Sequence, residues 1–118
     1  MAIDHMGIGV SDLAASRAFY AGALAPLGYE VLRERDGAVG LGTDGKTSLW
    51  LFSDRPVVTG QHIAFATDRA GVDAFHPAAL AAGGRDNGGP GPRPNYSDTY
   101  YAAFAYDPDD NNIEAVSR

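Results

Sequence analysis

From residue 3 to residue 10 the chain alternates: Met6, Ile8 and Val10 share one face, while His5, Gly7 and Gly9 share the other. That is the period of a strand covered on one side. Ser11 or Asp12 then caps a helix running to about Leu24, with Leu13, Ala14, Phe19, Tyr20 and Leu24 as apolar positions and Pro26 and Gly28 as its stop. Residues 29–35, 38–42 and 47–52 read as three short strands, joined by Asp36-Gly37 and Asp44-Gly45. Asp-Gly is a strong signal for a tight hairpin. The pattern then restarts. Residues 61–67 alternate again, Ile63 and Phe65 against His62, Ala64 and Ala66. Asp68 caps a second helix over about residues 69–82, which Pro77 should kink and Gly83-Gly84 end. A short strand should follow, then a Pro/Gly-rich loop over residues 88–98. A last hairpin takes residues 100–107 and 112–117, turned at Asp107-Pro108-Asp109-Asp110-Asn111.

The restart is a repeat. At an offset of 56 residues, Asp12, Ala14, Ala18, Phe19, Ala23, Leu24, Ala25 and Gly28 meet Asp68, Ala70, Ala74, Phe75, Ala79, Leu80, Ala81 and Gly84, each pair identical. The reading is an α+β fold of two βαβββ modules in one domain: residues 1–54, a connector at 55–60, and residues 61–118. A duplicated unit tends to build a pseudo-symmetric cleft. Each histidine shares its face only with small residues, Gly7 and Gly9 or Ala64 and Ala66, which leaves that face concave and open. A pseudo-two-fold relation pairs Trp50 with Glu114, both flanked by apolar residues. Four equivalent cleft positions follow: His5, Trp50, His62 and Glu114. Two imidazoles and a carboxylate are a facial triad that leaves positions open for water or substrate. Without thiolate, such a set suits one divalent ion of Fe, Mn, Ni or Zn.

Composition narrows the partners. The 118 residues carry a net charge of −6 and no basic run, which argues against nucleic acid and anionic membrane surfaces. The absence of cysteine excludes disulfides, zinc-thiolate sites and a cysteine nucleophile, and fits the cytoplasm. No signal peptide or membrane span is legible. Of the remaining candidates, Trp50 reads as a cleft wall or as core packing. Tyr100 shares a face with Ala102 and Phe104, where its phenol could serve as acid-base or hydrogen-bond donor, or simply pack. Arg93 reads as an anion contact or as a solvated loop charge, His76 as surface or packing, and the 88–98 loop as a lid or a connector.

The segments HMGIGVSDLAASRAFYAGAL, QHIAFATD and FAYDPDDNNIEAV resemble the vicinal oxygen chelate superfamily, the glyoxalase, bleomycin resistance protein and extradiol dioxygenase group. The resemblance spans nearly the whole chain. It implies two βαβββ modules curled into a cup-shaped mixed sheet with a metal on the floor, held by His5, His62 and Glu114. It implies a metal-dependent lyase, isomerase or dioxygenase acting on a small-molecule substrate; Tyr100 and Glu114 are then candidate catalytic groups, and Trp50, Phe104 and Arg93 candidate pocket residues. Members this short commonly form homodimers in which module one of a chain pairs with module two of its partner. An intrachain cup is the other arrangement. The departures are also specific. Trp50 stands where bacterial glyoxalase I usually has a fourth ligand, Phe104 where extradiol dioxygenases tend to have Tyr, and Asp110 where the D-P-D-G turn has Gly. The alternative function is a non-catalytic binding protein of the bleomycin-resistance type, for which the acidic charge and an aromatic cleft suit a cationic planar ligand.

Overall fold

The computed structural model describes residues 3–118. Strand β1 (Met6–Gly9) leads into helix α1 (Leu13–Leu24) and a short 3-10 turn (Ala25–Leu27); β2 (Glu30–Arg35), β3 (Ala38–Thr43) and β4 (Lys46–Phe52) follow. The second half repeats the plan with β5 (His62–Ala66), α2 (Arg69–Ala81), β6 (Arg85–Asp86), β7 (Gly91–Pro92), β8 (Tyr101–Tyr106) and β9 (Asn112–Ser117). The first sheet has the order β1-β4-β3-β2; the second has β5-β9-β8-β6, with β7 also on β8. In each, the first strand pairs in parallel with the last, and the remaining pairs are antiparallel. The expected α+β fold of two βαβββ units forms, as two separate mixed sheets.

The elements start and stop for local reasons. Asp12 and Asp68 cap their helices by accepting from Ala15 N at 3.0 Å and Gly71 N at 2.8 Å, each satisfying a backbone donor of the first turn. Both residues of the Asp44-Gly45 turn take positive φ, 53° and 74°, as a two-residue hairpin demands. Pro77 lies on the exposed side of α2, which continues through it to Ala81. There water can take the carbonyl that the missing N–H leaves free.

Each helix covers its own sheet, and the helices pack on each other. Phe19, Tyr20, Ala23 and Leu24 of α1 and Val72, Phe75 and Ala79 of α2 are fully buried. They meet Leu41, Leu49 and Leu51 of the first sheet and Ala103, Ala105, Ile113 and Ala115 of the second in one core. Gly22 sits where an added Cβ would come within 2.6 Å of the Ala82 methyl, so the helices touch at a glycine. The turn before β9 fastens the halves together. Asp107, 2% exposed, accepts from Asp109 N (2.8 Å), Asn111 N (2.9 Å), Asn111 Nδ2 (2.9 Å) and the Tyr20 hydroxyl (2.5 Å). Burial first, and the Asp107 charge second, push the Tyr20 phenol well above the ordinary range. Asp110 takes the left-handed conformation (φ 64°) that the turn needs; an aspartate tolerates it where a glycine is the usual choice. The Ser16 hydroxyl is buried without a hydrogen-bond partner, and nothing in its surroundings explains it.

Candidate functional site

The helix-free face of the second sheet centres on Glu114. Alternation along β9 turns Ile113 and Ala115 into the core and Glu114 the other way, between Ala64 on β5 and Phe104 on β8. Yet Glu114 is only 1% exposed. A carboxylate so buried must be partnered, and both its oxygens are. The Tyr100 hydroxyl donates to Oε2 at 2.5 Å, and His62 Nε2 lies 3.0 Å from Oε1. The bond to Glu114, reinforced by burial, pushes the Tyr100 phenol up to about 12. His62 Nδ1 lies 3.1 Å from the Asn112 carbonyl. A carbonyl can only accept, so Nδ1 donates there, and Nε2 is the nitrogen that faces the carboxylate. The His62 ring stacks on Phe104, centroids 6.4 Å apart and planes 25° apart. His62, Tyr100, Phe104 and Glu114, with Asn95, Tyr96, Asn112 and Arg118, line a recess of about 550 Å³.

The donor set suits a metal in part. Ligands at roughly 2.1 Å from a metal and at right angles to it lie about 3 Å apart, the spacing of His62 Nε2 and Glu114 Oε1. His5 is not brought into the same group. It stands just before β1, exposed, with Nδ1 on Asp4 at 2.7 Å. The Lys46 ammonium, and then His5, hold the Asp4 carboxyl below its ordinary range. His5 and His62 border a second recess of about 380 Å³ with residues of β4 and β5, whereas Glu114 lines the other one. Among the described residues no three His, Asp or Glu side chains converge as a metal-holding group.

The other candidates separate. Tyr100 and Phe104 join the Glu114 recess. Trp50 lies on the first sheet, opposite Gly7 and Gly40, where it packs beside Phe52. Arg93 turns away from the recess: its guanidinium donates to the carbonyls of Gly89 and Gly91, each at 2.9 Å, and lies 5.3 Å from the Phe104 centroid. It braces the 88–98 loop, carrying Asn95 and Tyr96 to the rim. His76 pairs with Asp86 at 2.8 Å. Arg118 and Asn112 are recess residues that the sequence reading passed over. Their signal was present, since residues 112 and 118 share the parity of Glu114, on β9 and just past its end.

Comparison with known proteins agrees with this fold. Residues 2–115 match the family described as the Glyoxalase/Bleomycin resistance protein/Dioxygenase superfamily. No curated protein sequence matches the chain. Among solved structures, a glyoxalase/bleomycin resistance protein from Albidiferax ferrireducens is similar at 30% identity and a TM-score of 0.83, over 97% of each chain. A glyoxalase/bleomycin resistance protein/dioxygenase family enzyme from Burkholderia phytofirmans superposes at 0.73 with 20% identity over 98% of each chain. A glyoxalase-related enzyme from Fulvimarina pelagi superposes at 0.70 with 20% identity, over 98% of this chain and 87% of its own. At 20% identity these last two speak for the fold alone. With a family match over nearly its whole length, the chain belongs to the glyoxalase/bleomycin resistance protein/dioxygenase superfamily.

Proposed function

We propose that the protein is a small metal-dependent enzyme of the glyoxalase and dioxygenase type, in which His62, Glu114 and His5 hold one divalent ion, Fe, Mn, Ni or Zn. The observation that carries this is the buried Glu114 carboxylate, facing His62 Nε2 at the spacing of two ligands of one metal. The ion would supply Lewis acidity toward adjacent oxygens of a small-molecule substrate. The chain's own residues do the rest. Asn112 fixes the His62 ring through Nδ1, and Phe104 supports its plane. Tyr100 keeps a proton on its phenol at neutral pH, beside the carboxylate, where it can hold or donate it to a substrate oxygen. Asn95 and Tyr96 shape the entrance.

The third ligand comes from a second copy of the chain in this reading. His5 stands at the start of the first sheet; β1 and β5 are edge strands, and the free side of β1 is bridged only at Gly9, by Val57. A homodimer that sets the first sheet of one protomer over the second sheet of its partner brings the two helix-free faces together, and it would work in the cytoplasm. A bleomycin-type binding protein is the weaker reading, because the Arg35 guanidinium already lies over the Trp50 ring, where a cationic ligand would stack, and Arg55 lies over its neighbour Phe52.

Elemental analysis of protein purified without a metal-affinity tag tests the proposal. About one transition-metal ion per chain, lost in His62→Ala and in Glu114→Gln, supports it. Metal-free protein that takes up no Fe, Mn, Ni or Zn on incubation overturns it. Dilution tests the shared site: affinity for the ion should fall as dimers dissociate, whereas full affinity in the monomer would place all ligands in one chain.

A further inference from the structure

The helix-free face of the first sheet carries a group of side chains that the metal chemistry does not use. Two cross-strand rows run over it, Arg33–Gly40–Trp50–Gly7 and Arg35–Ala38–Phe52–Gly9. The glycines let the rings lie down. A Cβ on Gly40 would sit 3.1 Å from two indole ring atoms, and one on Gly7 would sit 2.6 Å from the Phe52 ring. The indole and phenyl planes are 13° from parallel, with centroids 6.0 Å apart. The Arg35 guanidinium lies 5.9 Å from both centroids, and that of Arg55 lies 4.1 Å from Phe52. Arg55 thus covers the phenyl closely, and the half-buried indole is the less covered ring, with Arg35 above it at a distance.

The charges of Arg33 and Arg35 on this face are uncompensated. Asp54 approaches Arg55 at 3.8 Å, and Glu30 lies at the far end of the face, opposite Gly42. Among the described residues no carboxylate pairs with Arg33 or Arg35. In a chain of net charge −6, the general field repels anions, so any anion held here is held by these groups. A guanidinium fork matches a carboxylate in shape, and an indole face takes a planar ring in offset stacking.

We propose that this face binds a planar aryl carboxylate, with its ring on Trp50 and its carboxylate on Arg35. It depends on the function proposed above only in making that group the anionic end of the substrate; the binding itself needs no metal. A cationic ring of the same size meets Arg35 and Arg55 instead and is disfavoured.

The chain has a single tryptophan, so one indole N–H signal in a nitrogen-proton correlation spectrum reports this site alone. The full chain, kept metal-free with chelator, is titrated with benzoate, benzamide and benzamidine, three probes of one shape and different charge. Benzoate should shift the indole signal saturably and bind about tenfold more tightly than benzamide, the value of one charge-assisted pair. Benzamidine should bind weakest. Arg35→Gln should bring benzoate to the level of benzamide. Benzamidine binding as tightly as benzoate, an unchanged preference in Arg35→Gln, or an indole signal that does not move would each overturn the proposal. Metal content is measured separately, so a protein that holds no metal but prefers benzoate loses the enzyme reading and keeps this one.

Discussion

Gly7–Trp50–Gly40 in the first sheet and Ala64–Glu114–Phe104 in the second are the same row of the same strands in the two copies. The large side chain sits at the centre in one and at the flank in the other. Where the centre is an indole, both neighbours are glycines; where it is a carboxylate, a phenylalanine stands beside it. One backbone plan thus supports an aromatic platform and a polar site, with chemistry decided by how side-chain volume is distributed along a row. The helices diverge less. Phe19 and Phe75 are both fully buried, as are Ala23 and Ala79, but Leu24 is 0% exposed and Leu80 38%. The shared core constrains the repeat, and its faces are free to differ.

The largest expected effect separates the two rows by metal. Glu114→Gln should weaken binding of a divalent ion by about a hundredfold or more, beyond the 10–100-fold typical of supporting residues, while Trp50→Ala leaves the ion-to-chain ratio unchanged in elemental analysis. An equal loss in both variants would put the metal elsewhere. Next comes Gly40→Ala. Its methyl has the Thr47 Cγ2 atom within 2.7 Å as well as the indole, and such overpacking costs roughly 2–3 kcal/mol. Denaturant unfolding would read the loss, and tryptophan emission would show the ring lifted from the strand.

Tyr20 and His76 occupy corresponding helix positions, and only Tyr20 is buried against a carboxylate. Tyr20→Phe should cost about 1–2 kcal/mol by removing a donor from buried Asp107. The sign with pH follows from the direction of the shift. The phenol is raised in the folded state, so its contribution is whole below its ordinary value of 10.0 and is lost as pH climbs past it. Unfolding followed from neutral to alkaline pH should therefore show a steep alkaline limb that Tyr20→Phe flattens. The smallest effects test the symmetry itself. Asp12→Ala and Asp68→Ala each remove one cap, and each should cost about 1 kcal/mol. A large inequality in thermal unfolding would show that the copies no longer fold with equal dependence on their helix starts.

Much of this was legible in the sequence because it follows from local rules. The caps at Asp12 and Asp68, the Asp-Gly hairpins and the outward turn of Glu114 come from spacing and alternation alone. What was hidden depends on neighbours across strands or on the backbone. Arg93 looks like any loop cation until the carbonyls of Gly89 and Gly91 converge on it. Arg35 reaches Trp50 only through the register that β2, β3 and β4 adopt together. Strand β7 is two residues long, too short to leave a period, and the sequence around Pro77 did not say which side of α2 faces water. His5 was legible as a candidate, but a residue's place in a repeat does not say which sheet it will be set against.

The bracing of the 88–98 loop has a consequence for how this protein can diverge. Arg93 holds the loop by main-chain carbonyls, which every amino acid supplies, so its grip is indifferent to most of the side chains it encloses. Asn95 and Tyr96 can therefore be exchanged by drift or by selection without dismantling the loop that presents them. A lineage keeping this one arginine could try new entrance chemistries by single substitutions, each arriving on an already folded support.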